Sequence, residues 1–363
     1  MSHPAFFTSP APNEPRPPIA ENSELIGSRY RLLRRLGRGG MGEVYEAEHV
    51  ALKKRVVVKL LHARLGREPQ ILDRMRVEAQ ALALVRHPNL VEVSDFGHTS
   101  DGRPYFIMER LYGRTLREEL DARGALPPLE VIDLGRQLLA GLGAAHGAGL
   151  VHRDVKLDNV FLCDPDKSLN TNTNTNTNTK ILKLLDFGLA KVVGAGRPER
   201  PLAPLAIPTD EGVMLGTPRF FSPEQALGRP VDARADIYST GALLYAMVAG
   251  RAPFDHYTAL YELAQAHAAE PPEPPSKNAG QPLPPELDRI ILKALAKQPE
   301  DRFQTAAELA AALERLAKPA ASPAPIEPAR AIAPVFVFIL TALASALVFG
   351  AVTAGLLLLH LTP

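Results

Sequence analysis

Residues 30–36 and 43–48 are short runs in which apolar, β-branched and aromatic positions interleave with charged ones. A third run, 55–61 (R-V-V-V-K-L-L), is almost continuously apolar. All three predict β-strands. Residues 74–85 switch to apolar side chains at helical spacing, and His87-Pro88-Asn89 breaks that helix. Strand-like runs follow near 90–96 and 105–109, and a helical stretch over 129–145 leads into V-H-R-D-V-K-L-D-N-V-F at 151–161. A further hydrophobic strand, Lys183-Leu184-Leu185, delivers Asp186 at its end. Near the far end, residues 331–359 carry no charged side chain and no polar stripe. As a helix, 335–359 is long enough to cross roughly 30 Å of hydrocarbon, so the pattern predicts one membrane span there. Lys318 and Arg330 flank its near side, which the positive-inside bias assigns to the cytoplasm; a cytoplasmic body tied to the inner membrane by a C-terminal anchor is the expectation.

The first two strands are joined by Gly37-Arg38-Gly39-Gly40-Met41-Gly42, in which Gly37, Gly39 and Gly42 satisfy G-x-G-x-x-G. Alone, that spacing fits a dinucleotide loop or a plain glycine-rich hairpin. A dinucleotide loop runs from strand into helix, whereas Val44 and Tyr45 predict a strand on the exit side. A strand–loop–strand flap of this kind can fold over phosphates, because glycine lets backbone N–H groups approach closely. Lys59 lies inside the apolar third strand, where an unpaired ammonium is costly to bury. It either faces solvent on an edge or meets an acid, and Glu78 is the best-placed acid on the next helix. In 151–161, Asp154, Lys156 and Asn159 set a carboxylate, an ammonium and a carboxamide within six positions. Such a set can accept a hydroxyl proton, steady a phosphate and ligate a metal ion.

Composition narrows the classes. The 363 residues allow one large domain plus tails, and a net charge of +1 offers no argument for nucleic-acid binding. The single cysteine, Cys163, excludes an internal disulfide and reads as a small buried apolar residue. Residues 1–28 are proline-rich, lack the basic-then-apolar order of a signal peptide, and are expected to be a disordered leader. Residues 170–179 are five Asn-Thr repeats with no capacity to form a core, and 317–334 form a Pro/Ala-rich linker. In the predicted span, Ala342, Ala346, Gly350 and Ala354 are small residues four apart, a spacing compatible with a homodimer.

L-G-R-G-G-M-G-E-V-Y-E-A, the lysine strand, the helix glutamate and H-P-N-L-V together resemble the N-lobe of a protein kinase, of the bacterial (Hanks-type) serine/threonine class. The resemblance spans about 29–316. It implies an α+β, bilobal protein-kinase fold, with a small mainly β N-lobe (about 29–110) and a larger helical C-lobe (about 111–316), joined here to one C-terminal transmembrane helix. It also implies residue roles. Backbone groups of Glu109 and Leu111 would meet the adenine edge, with Met108 as gatekeeper and Val44 above the nucleotide. Lys59, steadied by Glu78, would hold the α- and β-phosphates of ATP. Asp154 would orient the acceptor hydroxyl, Lys156 offset charge on the transferring group, and Asn159 and Asp186 hold Mg²⁺ or Mn²⁺. Gly216-Thr217-Pro218-Arg219-Phe220-Phe221-Ser222-Pro223-Glu224 resembles G-T-P-x-Y-x-A-P-E, with Ser222 in the alanine position. By the same analogy Asp236 braces the catalytic-loop backbone and Arg302 pairs with Glu224. The Asn-Thr tract resembles an expansion of the turn between H-R-D and D-F-G. The implied activity is phosphoryl transfer from ATP to serine or threonine hydroxyls of protein substrates, with a nucleotide-binding scaffold that transfers nothing as the alternative. Thr209 is expected to be an autophosphorylation site read by Arg153, with Thr217 the other candidate. Three departures stand out: Val57 for the usual alanine, Leu157 for the usual proline, and Phe161 on the strand below the adenine, where ordinary packing is expected.

Overall fold

The strand that carries Lys59 shows why the first half of the chain folds as it does. Side chains alternate sides along a strand, and β4 (Lys54–Leu61) uses both sides for packing. Val56, Val58 and Leu60 join a small core with Ile26, Tyr30, Leu32, Ala47, Tyr105 and Ile107. Val57 and Leu61 point the other way, into the main core with Val44, Met75, Phe106 and Met108. A strand buried on both faces reads as a continuous apolar run, and Lys59 falls on the main-core side because it shares parity with Val57 and Leu61.

The computed structural model describes residues 25–39, 42–63, 69–164, 180–186, 218–317 and 351, with the side chains of 69–72, 74 and 78 outside that description. The chain divides into two compact units, 1–317 and 318–363. The fold below belongs to the first, since Ala351, helical and exposed, is the sole described residue of the second. Among the described residues no helix is long and apolar enough to cross a membrane. The predicted span 335–359, the leader apart from 25–28, the Asn-Thr tract and the linker beyond Ala317 all lie outside them.

β1 (Leu25–Ile26), β2 (Tyr30–Gly39), β3 (Gly42–His49), β4, β5 (Val93–His98) and β6 (Pro104–Glu109) form one antiparallel sheet in the order β1-β2-β3-β4-β6-β5. The glycine-rich turn joins β2 to β3, with Gly39 opposite Gly42. A Cβ at Gly42 would stand 2.1 Å from the Leu60 carbonyl oxygen, so close passage of β4 demands glycine there. α1 (Pro69–Leu84) supplies Met75, Ala79 and Leu82 to the main core. The apolar run near 90–96 becomes a strand only from Val93. Leu90 instead bridges to Leu184, and the Asn89 side chain is spent on the Leu182 carbonyl and Gln137, which pulls this stretch toward the second half of the fold.

That second half is helical. It contains α2 (Leu116–Arg123), α3 (Pro128–Gly147), α4 (Pro223–Ala226), α5 (Ala233–Ala249), α6 (Leu260–Ala269), α7 (Pro285–Ala294) and α8 (Ala306–Ala317). α5 is buried on every side from Ala235 to Val248, as expected of a helix apolar all round. A small sheet, β7-β8-β9, lies against α2 and α3, with β7 at Gly113–Thr115, β8 at Val160–Cys163 and β9 at Ile181–Leu184. In the β8–β9 hairpin Val160 faces Leu184 and Cys163 faces Ile181. Asn159 and Asp186 therefore emerge at one end, and the Asn-Thr tract joins the strands at the other. Cys163 is buried and forms no disulfide.

Candidate active site

Three levels of support build the site from the loop between α3 and β8. The deepest is Asp236, at the start of α5 and fully buried. Its Oδ2 accepts from the His152 N–H and its Oδ1 from the Arg153 N–H, both at 2.8 Å, while His146 Nε2 approaches Oδ2 at 2.8 Å. One carboxylate thus fixes two consecutive peptide groups. The second level is His152. Its Nδ1 accepts from the Asp154 N–H at 3.2 Å, which leaves Nε2 to donate to the Leu185 carbonyl at 2.8 Å. The ring is fully enclosed, and burial pushes its pKa below the ordinary histidine value against the nearby acids. A neutral imidazole consequently ties the Asp154 segment to the residue preceding Asp186, a structural role.

The third level is the reactive set. Lys156 Nζ donates to Asp154 Oδ2 at 2.8 Å. Asn159 Nδ2 donates to the Asp154 carbonyl at 2.8 Å and to Oδ2 at 2.9 Å. The Leu185 N–H donates to the Asn159 carbonyl at 2.8 Å, which brings Asp186 beside Asn159. From β4, Lys59 Nζ reaches Asp186 Oδ1 at 2.8 Å. Arg153 (φ 63°) and Asp186 (φ 46°) both hold the left-handed region, which non-glycine residues rarely adopt and which concentrates at functional sites. Two side-chain groups, Lys59 with Asp186 and Lys156 and Asn159 with Asp154, are therefore brought together through the backbone bond between Leu185 and Asn159.

Lys59 is ion-paired with Asp186, while the Glu78 side chain lies outside the described residues. Glu109 has a side-chain role that its sequence position concealed: its Oε1 accepts from Lys183 Nζ at 2.7 Å and from the Glu92 N–H at 2.8 Å, fastening β9 to the end of β6. Val44, Val57, Met108, Leu111 and Phe161 all belong to the main core, and Val57 and Phe161 are fully buried. Gly37 and Gly39 lie on β2 and Gly42 on β3, at the flap. Arg302 donates from Nη1 and Nη2 to the two Glu224 oxygens at 2.8 Å each, the fork geometry that suits a carboxylate. Thr209 and Thr217 lie outside the described residues.

The donor set fits a hard divalent cation. Asn159 spends its NH₂ on Asp154, which leaves its carbonyl oxygen as the ligand half, and Asp186 contributes carboxylate oxygens. Among the described residues no group of three or more His, Cys, Asp and Glu side chains converges on a metal position.

An antiparallel sheet carrying a glycine flap and a lysine, above a helical half that presents Asp154, Asn159 and Asp186, defines the class. The family model of the protein kinase domain matches residues 30–312, and the chain belongs to that family. Serine/threonine-protein kinase Pkn1 of Myxococcus xanthus is 40% identical over 304 residues, covering 82% of this chain and 40% of that protein. Serine/threonine-protein kinase PknL of Mycobacterium bovis is 38% identical over 302 residues, 83% of this chain and 69% of the relative. The crystal structure of the Mycobacterium tuberculosis PknI kinase domain matches 82% of this chain and 99% of its own length, at a TM-score of 0.59 and 26% identity. The chain spans well under half the length of Pkn1 and 43% of Mycobacterium leprae PknB.

Proposed function

We propose that the chain is a serine/threonine protein kinase, transferring the γ-phosphate of ATP to hydroxyls of protein substrates. The observation that carries this reading is the convergence in one site of the Lys59–Asp186 ion pair and the Asp154–Lys156–Asn159 set, joined through the Leu185–Asn159 backbone bond. Phosphoryl transfer asks the protein mainly for alignment and countercharge. Asp154 orients the acceptor hydroxyl and takes up its proton. Lys156, already on Asp154 Oδ2, neutralises charge on the transferring group. Lys59 holds the α- and β-phosphates, and backbone groups of Glu109 and Leu111 face the adenine edge beneath Val44 and the flap glycines 37, 39 and 42. A bound Mg²⁺ supplies countercharge to the phosphates, with Asn159 and Asp186 as its protein ligands.

The full chain incubated with Mg²⁺ and radiolabelled ATP is expected to label an acceptor protein, and Asp154→Asn to reduce labelling by about 10² or more. Equal labelling by the two proteins would leave only a nucleotide-binding scaffold.

Three finer readings belong to the same proposal. Residues 335–359 anchor the chain in the inner membrane with residues 1–317 on the cytoplasmic side, on the strength of their uncharged apolar run. Flotation with lipid vesicles tests this, and loss of flotation on removing 335–359 is the expected result. Autophosphorylation of Thr209, with Thr217 as the second candidate, activates the enzyme through Arg153; mass spectrometry after Mg-ATP incubation reads both sites. The small-residue spacing at 342, 346, 350 and 354 supports pairing of two anchors, and Gly350→Ile is expected to reduce cross-linking in membranes.

A further inference from the structure

We propose that Gln225 is a positioning residue for Asp154, acting through the Arg153 carbonyl; the inference rests on the kinase reading above. Gln225 is the third residue of α4, just past the Ser222-Pro223-Glu224 turn. Its amide is oriented by its own helix. Oε1 accepts from the Ser222 N–H at 3.1 Å and from the Ser222 hydroxyl at 3.3 Å, while Ser222 Oγ accepts from the Gln225 N–H at 3.4 Å. This is a reciprocal capping box around a fully buried serine. With Oε1 committed, the NH₂ can only turn outward, and Nε2 donates to the Arg153 carbonyl at 2.7 Å.

That carbonyl belongs to the peptide linking Arg153 to Asp154. Arg153 sits at φ 63°, a conformation that persists only when its surroundings impose it. Its N–H is held by Asp236 at 2.8 Å, on one side of the strained torsion. Gln225 holds the carbonyl on the other side, and His152 Nδ1 takes the Asp154 N–H of the same peptide, so Gln225 is the one restraint on this plane that comes from α4. Asp236 comes from the start of α5, deep in the core. Gln225 comes from the short helix that follows residues 187–217 in the chain, and α4 is itself secured by the neighbouring Glu224–Arg302 pair. The geometry of Asp154 is therefore set jointly by the core and by the segment that ends the activation region. Any rearrangement that shifts α4 by a few ångströms withdraws the Gln225 restraint and leaves those from Asp236 and His152.

The test compares Gln225→Glu, Gln225→Met and Ser222→Ala in the full chain, with Mg-ATP and casein as acceptor. Gln225→Glu keeps an oxygen for the Ser222 N–H and replaces the donor facing Arg153 with an acceptor. Gln225→Met removes both. Ser222→Ala removes the hydroxyl half of the box and leaves the Gln225 donor in place. Both Gln225 variants are expected to lose about tenfold or more in kcat, with KM for ATP within about twofold of the parent. Ser222→Ala is expected to keep kcat within about twofold. The proposal is overturned if Gln225→Glu retains kcat within that range, or if kcat falls only in step with a rise in KM and a lowered unfolding temperature. Should Gln225→Met fold poorly, Gln225→Glu alone decides. Failure of the kinase reading is separate: the parent chain would then label casein no better than Asp154→Asn.

Discussion

Single side chains in this molecule carry consequences that can be read in different ways. Gly42 is fixed by space: a methyl group would enter the Leu60 carbonyl at 2.1 Å, so either β3 or β4 must move. Gly42→Ala is expected to raise KM for ATP by about tenfold, because the flap and the Lys59 strand shift together; a nucleotide titration checks this. His267 is fixed by burial instead. Its Nδ1 meets the Tyr238 hydroxyl at 3.0 Å, its ring packs edge-on against Phe254, and enclosure together with the charge of Lys297 lowers its pKa to about 3. The unfolded chain takes up that proton near the ordinary value of about 6.5, while the folded chain refuses it until far lower pH. Stability from this group is therefore full well above pH 6.5 and falls as pH drops through that value, by roughly 1 kcal/mol between pH 7.5 and 5.5. His267→Gln is expected to remove that increment, measured as denaturant midpoints at the two pH values. Residue identity in the site was legible because Asp154, Lys156, Asn159 and Asp186 are close to one another in the sequence or bounded by recognisable motifs. The partners were not. Lys59 with Asp186, Glu109 with Lys183 and Gln225 with Arg153 join positions 72 or more apart, and no local periodicity encodes such pairs.

Among the elements, the β8–β9 hairpin separates two jobs. One end presents Asn159 and Asp186; the other, where the chain leaves toward residues 165–179, is four paired residues away, or about 13 Å at the usual rise. That end is clamped. The Asp164 N–H donates to the Tyr112 carbonyl at 2.9 Å, Gln137 Nε2 donates to the Lys180 carbonyl at 3.1 Å, and Lys180 Nζ reaches Glu119 at 2.5 Å. Glu119 is fully buried. Burial alone would raise its pKa, but hydrogen bonds from Lys180 and Arg123 and the charge of Arg114 hold it below the usual carboxylate range. Deleting residues 170–179 is expected to leave kcat and KM within about twofold, since loop length carries a small entropic cost and the clamp isolates the ligands. Glu119→Gln is expected to destabilise by about 2 kcal/mol, as three basic groups lose their shared anion in a partly buried site; urea unfolding reads it. Strand and helix locations were largely legible because both sheet faces and the helix stripes are apolar. The late start of β5 was not, because side-chain bonds of Asn89 decide it rather than hydrophobicity.

At the scale of the whole fold, Arg302 is the widest connection. Besides the two oxygens of Glu224 in α4, it donates to the carbonyls of Arg234 in α5 and of Ala296 and Lys297 after α7. All five N–H groups are used while the side chain is withdrawn from solvent. Arg302→Lys keeps the charge and loses the fork, and is expected to cost about 3 kcal/mol of stability by denaturant unfolding, with kcat falling as α4 loosens. The pairing of Arg302 with Glu224 was legible only through family resemblance. Its additional carbonyl partners arise from the way three helices meet. The clamp at Lys180 and Glu119 has a consequence of another kind. A run of identical dipeptides is a place where a gene gains or loses units in single copying errors, and elsewhere in this molecule such errors would shift a register or break a core. Here each change in unit number falls on the far side of a fastened hairpin. A gain or loss of units at 170–179 is therefore expected to leave the catalytic centre as it is, so that tract length can drift without selection on activity.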